Sequence, residues 1–91
     1  MFLSKTFSAL ADGNRQKIMK ILKKREMSVS EILSSLDITM PTLSHHLDVL
    51  RQTWLISSRR AGREILYSLN LSIMEELAGQ VAKFLHVKNK K

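Results

Sequence analysis

Apolar residues recur every three or four positions along most of this chain, which is the spacing of one face of a helix. The first such segment, residues 2–11, stops at the tripeptide Asp-Gly-Asn (12–14), whose residue types favour turns and helix caps. A second helix is predicted in RQKIMKILKKR (15–25), where basic residues surround a narrow apolar stripe. Ser28 and Glu31 have the spacing of a capping box, which predicts the start of a short third helix.

Thr39 and Pro41 predict the start of a fourth helix, since Thr is a favoured N-cap and Pro is tolerated in a first turn. This helix covers about residues 40–53, and its apolar face is formed by Leu43, Leu47 and Leu50. Two helices joined by a tight turn, the second with a polar outward face, are typical of a helix-turn-helix.

The spacing of the apolar residues is no longer helical after Trp54. The segment LISSRRAGREILYSL has an apolar start, a basic centre with a glycine and an alternating end, which predicts a β-hairpin over about residues 56–69. The helical period then returns over about residues 71–86. The sequence therefore predicts a mainly α protein with a small β-hairpin, a winged helix-turn-helix flanked by N-terminal and C-terminal helices.

Length and composition narrow the function. We expect residues 1–91 to form a single domain. With 15 Lys and Arg against 8 Asp and Glu, the net charge of +7 points to a polyanionic partner, most simply double-stranded DNA. The chain has no cysteine, which excludes disulfides and thiolate metal sites and favours a cytoplasmic protein. No apolar run is long enough for a signal or membrane segment, so we expect a soluble protein with no membrane partner.

Two histidines are adjacent in the predicted fourth helix. A turn of about 100° per residue from Leu43 places His45 on the outward side and His46 at the edge of the apolar face. Paired metal ligands on a helix are separated by three or four residues, so we predict neither a metal site nor a cofactor here. His46 is expected to be a boundary residue with one ring nitrogen hydrogen-bonded.

The outward face of this helix carries the candidate DNA contacts. Thr42, Ser44 and His45 have polar groups suited to base edges and phosphates in a major groove, on a face that begins at Met40 and Pro41. Arg15 and Lys17, at the start of the second helix, are candidates for further contacts with the DNA backbone.

The last helix has more apolar surface than one small core can cover. Its stripe is formed by Met74, Leu77, Val81, Phe84 and Leu85. A large exposed apolar patch requires a partner, which predicts a homodimer.

Other functional classes fit less well. An enzyme is not expected, because Ser44, His45 and Asp48 lie on a convex helix face with no pocket to exclude water. A protein-interaction module or an antitoxin-like partner on the same scaffold is the alternative, with Trp54 or the outer face of the last helix as the docking surface. A regulatory protein partner is a further candidate.

Three segments together resemble the ArsR/SmtB family of winged-helix transcriptional repressors, and within it the short cysteine-free autorepressors of the SdpR type. They are SALADGNRQKIMKIL, MSVSEILSSLDITMPTLSHHLDVLR and SSRRAGREILYSLN, which span most of the chain from about residue 7 to residue 70. The most specific part is PTLSHHL followed by a wing of the form R-x-G-R-x-x-x-Y-S-L.

The resemblance implies a homodimer that represses transcription by occupying an operator near a promoter. It implies that Thr42, Ser44 and His45 read the groove, and that Arg60 and Arg63 of the wing lie along phosphates or in the minor groove. Arg59 is a further wing candidate whose direction depends on the register of the hairpin. It also implies that the first and last helices form the dimer interface, which adds Phe2, Leu3 and Phe7 to the interface residues.

The chain departs from the family at two places. Sensing members carry cysteines in the third helix, where this chain has EILSSL, or Asp, His and Glu ligands along the last helix, where the spacing is not reproduced. The known metal sites are therefore not expected. Trp54 stands where similar sequences usually have Gly, so we expect a locally altered turn and an indole packed on the base of the wing, with a partner surface as the alternative.

Overall fold

The computed structural model describes residues 2–86, which fold into five helices and one three-stranded antiparallel sheet. The helices are α1 (Phe2–Leu10), α2 (Gly13–Lys24), α3 (Val29–Ser34), α4 (Met40–Gln52) and α5 (Leu71–His86), and the strands are β1 (Met27–Ser28), β2 (Ile56–Ala61) and β3 (Glu64–Leu69). The predicted fold class, mainly α with a small β-hairpin between α4 and the last helix, is confirmed.

Three helices begin at the caps that the sequence predicts. Asp12 caps α2, because its Oδ1 accepts hydrogen bonds from the backbone N–H groups of Asn14 at 2.8 Å and Arg15 at 3.1 Å. Ser28 and Glu31 form a complete capping box at the start of α3. Thr39 caps α4, with Pro41 in the first turn.

The sheet contains a strand that the sequence does not predict. Two-residue β1 pairs with β3, placing Met27 opposite Tyr67 and Ser28 opposite Leu66. The strand order is β1-β3-β2, so the hairpin is joined to the segment between α2 and α3. Two residues are too few to show an alternating pattern, which is why the segment is not visible as a strand in the sequence.

The hairpin closes with a two-residue turn at Gly62 and Arg63, since Ala61 and Glu64 are the last paired residues. Gly62 has a φ of 65°, and Arg63 is not among the residues with positive φ. Glycine with positive φ at the first central position is the signature of a type II′ turn. Arg63 therefore occupies the tip of the wing.

The core lies between α2, α3, α4 and the base of the hairpin, and its central side chains are almost completely buried. They include Ile18, Leu22, Ile32, Leu43, Leu47, Leu50, Leu55 and Ile56. The predicted apolar face of α4 thus points inward in full, which directs the opposite face of that helix to solvent.

The conformation and exposure of Trp54, at the end of α4, differ from the prediction. Trp54 adopts a φ of 66°, the left-handed conformation that a glycine would take. Its N–H donates to the Arg51 carbonyl at 3.1 Å, and the N–H of Leu55 donates to the Leu50 carbonyl at 3.0 Å, which is a Schellman motif. The turn is therefore not altered, and the expected packing of the indole is wrong, because Trp54 is 61% exposed.

Candidate nucleic-acid interface

The outer face of α4 presents a row of polar side chains. Met40, Pro41, Thr42, Ser44 and His45 are all exposed, while Leu43 and Leu47 on the opposite face are buried. Thr39 donates a hydrogen bond from its hydroxyl to Thr42 Oγ1 at 3.0 Å. That bond uses a lone pair of Thr42 and leaves its hydroxyl hydrogen available to an outside acceptor.

The two adjacent histidines occupy different environments, as predicted. His45 is exposed, whereas His46 is 7% exposed and lies deeper than the edge position expected for it. Their ring centroids are 5.8 Å apart, and the ring planes are tilted by 52°.

His46 connects α4 to the start of α2. Arg15 Nη1 lies 3.1 Å from His46 Nδ1, and because a guanidinium can only donate, this ring nitrogen is the acceptor. The ring proton is therefore on Nε2, which lies 4.0 Å from Asp12 Oδ1. Burial lowers the pKa of His46, and the opposing effect of the Asp12 carboxylate does not reverse this.

Arg15 is less available for DNA than expected, because its guanidinium points into the protein. Its Nε donates to the Ala9 carbonyl at 2.8 Å, and Nη1 donates to His46. These bonds tie the end of α1, the start of α2 and the middle of α4 together. Lys17, the other candidate on α2, is exposed.

The three arginines of the wing differ in their interactions. Arg60 and Arg63 are exposed. Arg59 is exposed as well, but it makes a bidentate ion pair with Glu26, with Nε–Oε2 and Nη2–Oε1 distances of 2.8 Å. This hydrogen-bonded pair lowers the pKa of the Glu26 carboxyl and raises that of the Arg59 guanidinium.

Glu26 is a residue that sequence reasoning missed. It lies 33 positions before Arg59 in the chain, and the contact depends on the pairing of β1 with β3. In the sequence, Glu26 is only a single acidic residue after a basic segment, and such a residue could pair with any of many basic side chains.

The apolar stripe of α5 divides into two parts. Leu77 is 4% exposed, and Met74 is partly buried against the same core. Leu77 is therefore removed from the predicted dimer interface, because its side chain is already covered within its own chain. Beyond the core the stripe continues at Val81, Phe84 and Leu85, which are 39%, 80% and 62% exposed.

The first helix contributes one described residue to the predicted interface. Phe7 is 41% exposed. The side chains of Phe2 and Leu3, two further predicted interface residues, lie outside the described residues, as does the basic tail at 88–91.

Two further features of residues 2–86 bear on the kind of site. Within residues 2–86, no three His, Asp or Glu side chains are grouped so that they could hold a metal ion. None of the helices in this part of the chain has the length and apolar character needed to span a membrane.

Comparison with known proteins gives a consistent result. Residues 12–58 match the family described as bacterial regulatory protein, arsR family. The transcriptional repressor SdpR of Bacillus subtilis is 33% identical over 84 residues, which cover 92% of this chain and 93% of that protein.

Solved structures agree with this match. An ArsR-like transcriptional regulator from Rhodococcus sp. RHA1 has a TM-score of 0.85 at 25% identity, over 96% of this chain and 81% of that one. A homodimeric winged helix-turn-helix DNA-binding domain from Mycobacterium bovis has a TM-score of 0.74 at 26% identity, over 93% of this chain and 82% of that one.

Proposed function

The chain belongs to the ArsR family of bacterial regulatory proteins, and on that premise we propose that it is a homodimeric, sequence-specific transcriptional repressor. This family is one of regulators and not a class of enzymes. The single observation that carries the proposal is the exposed polar face of α4, held outward by the buried Leu43, Leu47 and Leu50 and followed in the chain by a basic wing.

In the proposed complex α4 enters the major groove. A helix of this length extends about 20 Å, so its first turns can reach several base pairs. Thr42, Ser44 and His45 have the hydroxyl and imidazole groups that read base edges, and Met40 and Pro41 lie at the end of the helix nearest the DNA. His46 supports this face from behind through its bond to Arg15.

Phosphate contacts come from the basic residues that no described carboxylate holds. Arg60, Arg63 and Lys17 are exposed, and the net charge of +7 attracts the duplex over a longer range. These contacts supply affinity for any sequence and make it fall as salt is added. Arg15 and Arg59 are left out of the contact set, because their guanidinium groups are already engaged within the protein.

Dimer formation is supported by the exposed part of the α5 stripe and by the homodimeric Mycobacterium bovis neighbour. Among residues 2–86, no part of the core covers Val81, Phe84 and Leu85. A two-fold dimer presents two copies of α4, which match an inverted repeat with half-sites about 34 Å apart. Such a repressor acts in the cytoplasm, and the DNA upstream of its own gene is the first operator to test.

We further propose that repression needs no metal co-effector. The chain has no cysteine, and its described acidic and histidine side chains form no cluster of three. Operator affinity is then expected to be the same with added Zn²⁺ and with a chelator.

The proposal is tested by selection from a random DNA pool with the purified protein. The enriched sequence should be an inverted repeat and should bind more tightly than a scrambled duplex of the same composition in a mobility-shift assay. Sedimentation of the free protein should give a dimer. Equal affinity for the enriched and scrambled duplexes would exclude specific repression, and a monomer at micromolar concentration would exclude the proposed dimer.

A further inference from the structure

The ion pair between Glu26 and Arg59 joins the segment before β1 to the wing. Both of its hydrogen bonds are 2.8 Å long, and the two nitrogens of one guanidinium edge face the two oxygens of one carboxylate. This fork-to-fork arrangement is the strongest geometry available to the two groups, and it restricts the direction of the arginine side chain.

The pair adds little to the stability of the fold, because both side chains are partly exposed. The Arg59 side chain is 61% exposed and that of Glu26 is 31% exposed. Ion pairs in such positions contribute little net free energy, because solvent and salt screen them. The more important effect of the pair is that it fixes the position of the Arg59 charge.

The register of the hairpin places Arg59 and Arg60 on opposite faces of the wing. Arg59 is opposite Leu66, and Arg60 is opposite Ile65. Side chains alternate between faces along a strand, so Arg60 shares the face of Ile56, which is buried in the core with α4. Arg59 therefore lies on the face turned away from the helices.

We propose that Glu26 is a positioning residue of the DNA-binding surface, which holds Arg59 on the outer face of the wing and withholds its charge from the DNA phosphates. The inference rests on the proposed function. A phosphate contact strengthens binding to every sequence alike, whereas base contacts from α4 depend on sequence. By removing one such contact, Glu26 lowers the affinity for random DNA while Arg60 and Arg63 remain available.

The test is a double-mutant cycle on the full chain, with affinity for a random duplex measured over a range of salt concentrations. The variants are Glu26→Gln, Arg59→Gln and the combination of both, with Arg63→Gln as the matched comparison. Arg63→Gln should flatten the slope of log affinity against log salt by about two for a DNA-bound dimer, the loss of one phosphate contact in each subunit. Arg59→Gln should leave the slope unchanged.

Glu26→Gln should release Arg59 in each subunit, steepen the slope by about two for a DNA-bound dimer and raise the affinity for random DNA several-fold. Loss of a negative charge could by itself raise affinity at long range, and the combined variant separates the two effects. If Arg59 is the cause, the gain from Glu26→Gln disappears when Arg59 is also replaced.

Two results would overturn the inference while leaving the proposed function in place. One is a flattened slope in Arg59→Gln equal to that of Arg63→Gln, and the other is a gain from Glu26→Gln that persists without Arg59. Absence of any DNA binding by the wild-type protein would instead overturn the proposed function and this inference with it.

A titration of the carboxyl groups by NMR gives a readout that does not depend on DNA. The pKa of Glu26 lies below its ordinary value because of the bond to Arg59, and it should return towards that value in Arg59→Gln. A Glu26 pKa that does not respond to Arg59→Gln would show that the pair is not formed in solution and would overturn the inference.

Discussion

Arg15 donates a hydrogen bond to Nδ1 of His46 across 3.1 Å, which joins the first turn of α2 to the centre of α4. Protonation of His46 would place a second donor on this nitrogen, facing the guanidinium donor, and would leave a charge in a buried site. The helix proposed to enter the DNA groove is thus held by a contact that requires a neutral imidazole.

The first prediction is a loss of stability in mild acid that depends on His46. Burial lowers the pKa of His46 in the folded protein, while in the unfolded chain it is about 6.5. As pH falls through about 6.5 the unfolded chain binds more protons than the folded one, so the free energy of unfolding decreases. Urea unfolding between pH 7.5 and pH 5.5 (roughly the titration range of histidine) measures the effect.

One variant isolates this contribution. His46→Gln should reduce stability at neutral pH but flatten its dependence on pH, because the buried titrating ring is removed. An unchanged slope in His46→Gln would show that this residue is not the titrating group.

The second prediction concerns the cap of α2. Asp12→Ala removes the acceptor for two backbone N–H groups and should lower the free energy of unfolding by about 1 kcal/mol. Asp12→Asn retains a capping oxygen and should cost less. Asp37→Ala is the matched control, since exposed Asp37 makes no hydrogen bond or ion pair with the described residues. Equal losses at both positions would contradict the capping role.

The third prediction is that, at position 54, a glycine variant is more stable than an alanine variant, which reverses the usual order for a helical residue. Because Trp54 has a φ of 66°, Trp54→Gly should be more stable than Trp54→Ala by about 1 kcal/mol. At the exposed helical position Lys20 the order is normal, and Lys20→Ala should be more stable than Lys20→Gly by about 1 kcal/mol. The same order at both positions, measured by urea unfolding, would refute a left-handed residue 54 in solution.

The fourth prediction tests the dimer. Phe84→Glu places a charge on the exposed apolar stripe of α5 and should shift the protein towards monomer in sedimentation equilibrium. Gly79→Glu adds the same charge on the same helix, about 120° or more around its axis from Val81, Phe84 and Leu85, at a position where a side chain meets nothing within 4 Å, and should leave the dimer intact. Dissociation by both variants to the same extent would place the interface elsewhere.

The fifth prediction separates base contacts from phosphate contacts. Arg63→Gln should weaken binding to operator and random duplexes by the same factor, because phosphates are common to all sequences. Ser44→Ala and His45→Ala should change which bases are preferred in a repeated selection. A uniform loss of affinity in all three variants, with the preferred sequence unchanged, would contradict this division of roles.

Features that depend on neighbours in the chain could be predicted from the sequence. The caps at Asp12, Ser28 and Thr39 are examples, since each acts on backbone N–H groups two or three residues ahead. The inward direction of Leu43, Leu47 and Leu50 followed from helical spacing in the same way.

Features that depend on residues far away in the chain could not be predicted from the sequence. Arginine is a residue type that often contacts DNA, so the sequence suggests this role for Arg15 and Arg59. The Ala9 carbonyl determines where the Arg15 side chain points, and the Glu26 carboxylate does the same for Arg59. Leu77 and Phe84 belong to one apolar stripe with a single period, and only the position of the core divides it into a covered and an uncovered part. Trp54 shows that a hydrogen-bonded turn can impose a conformation that its residue type disfavours.

Both main-chain polar groups of Leu55 are used at once, since its N–H bonds to Leu50 and its carbonyl accepts from the N–H of Asn70 at 3.0 Å. Asn70 in turn accepts from Ile73 in the first turn of α5. Leu55, which is completely buried, thus links the end of α4 to the start of α5, although the whole wing lies between them in the chain. In the proposed dimer, the direction in which α5 leaves towards the partner is set at the same buried residue that ends the recognition helix.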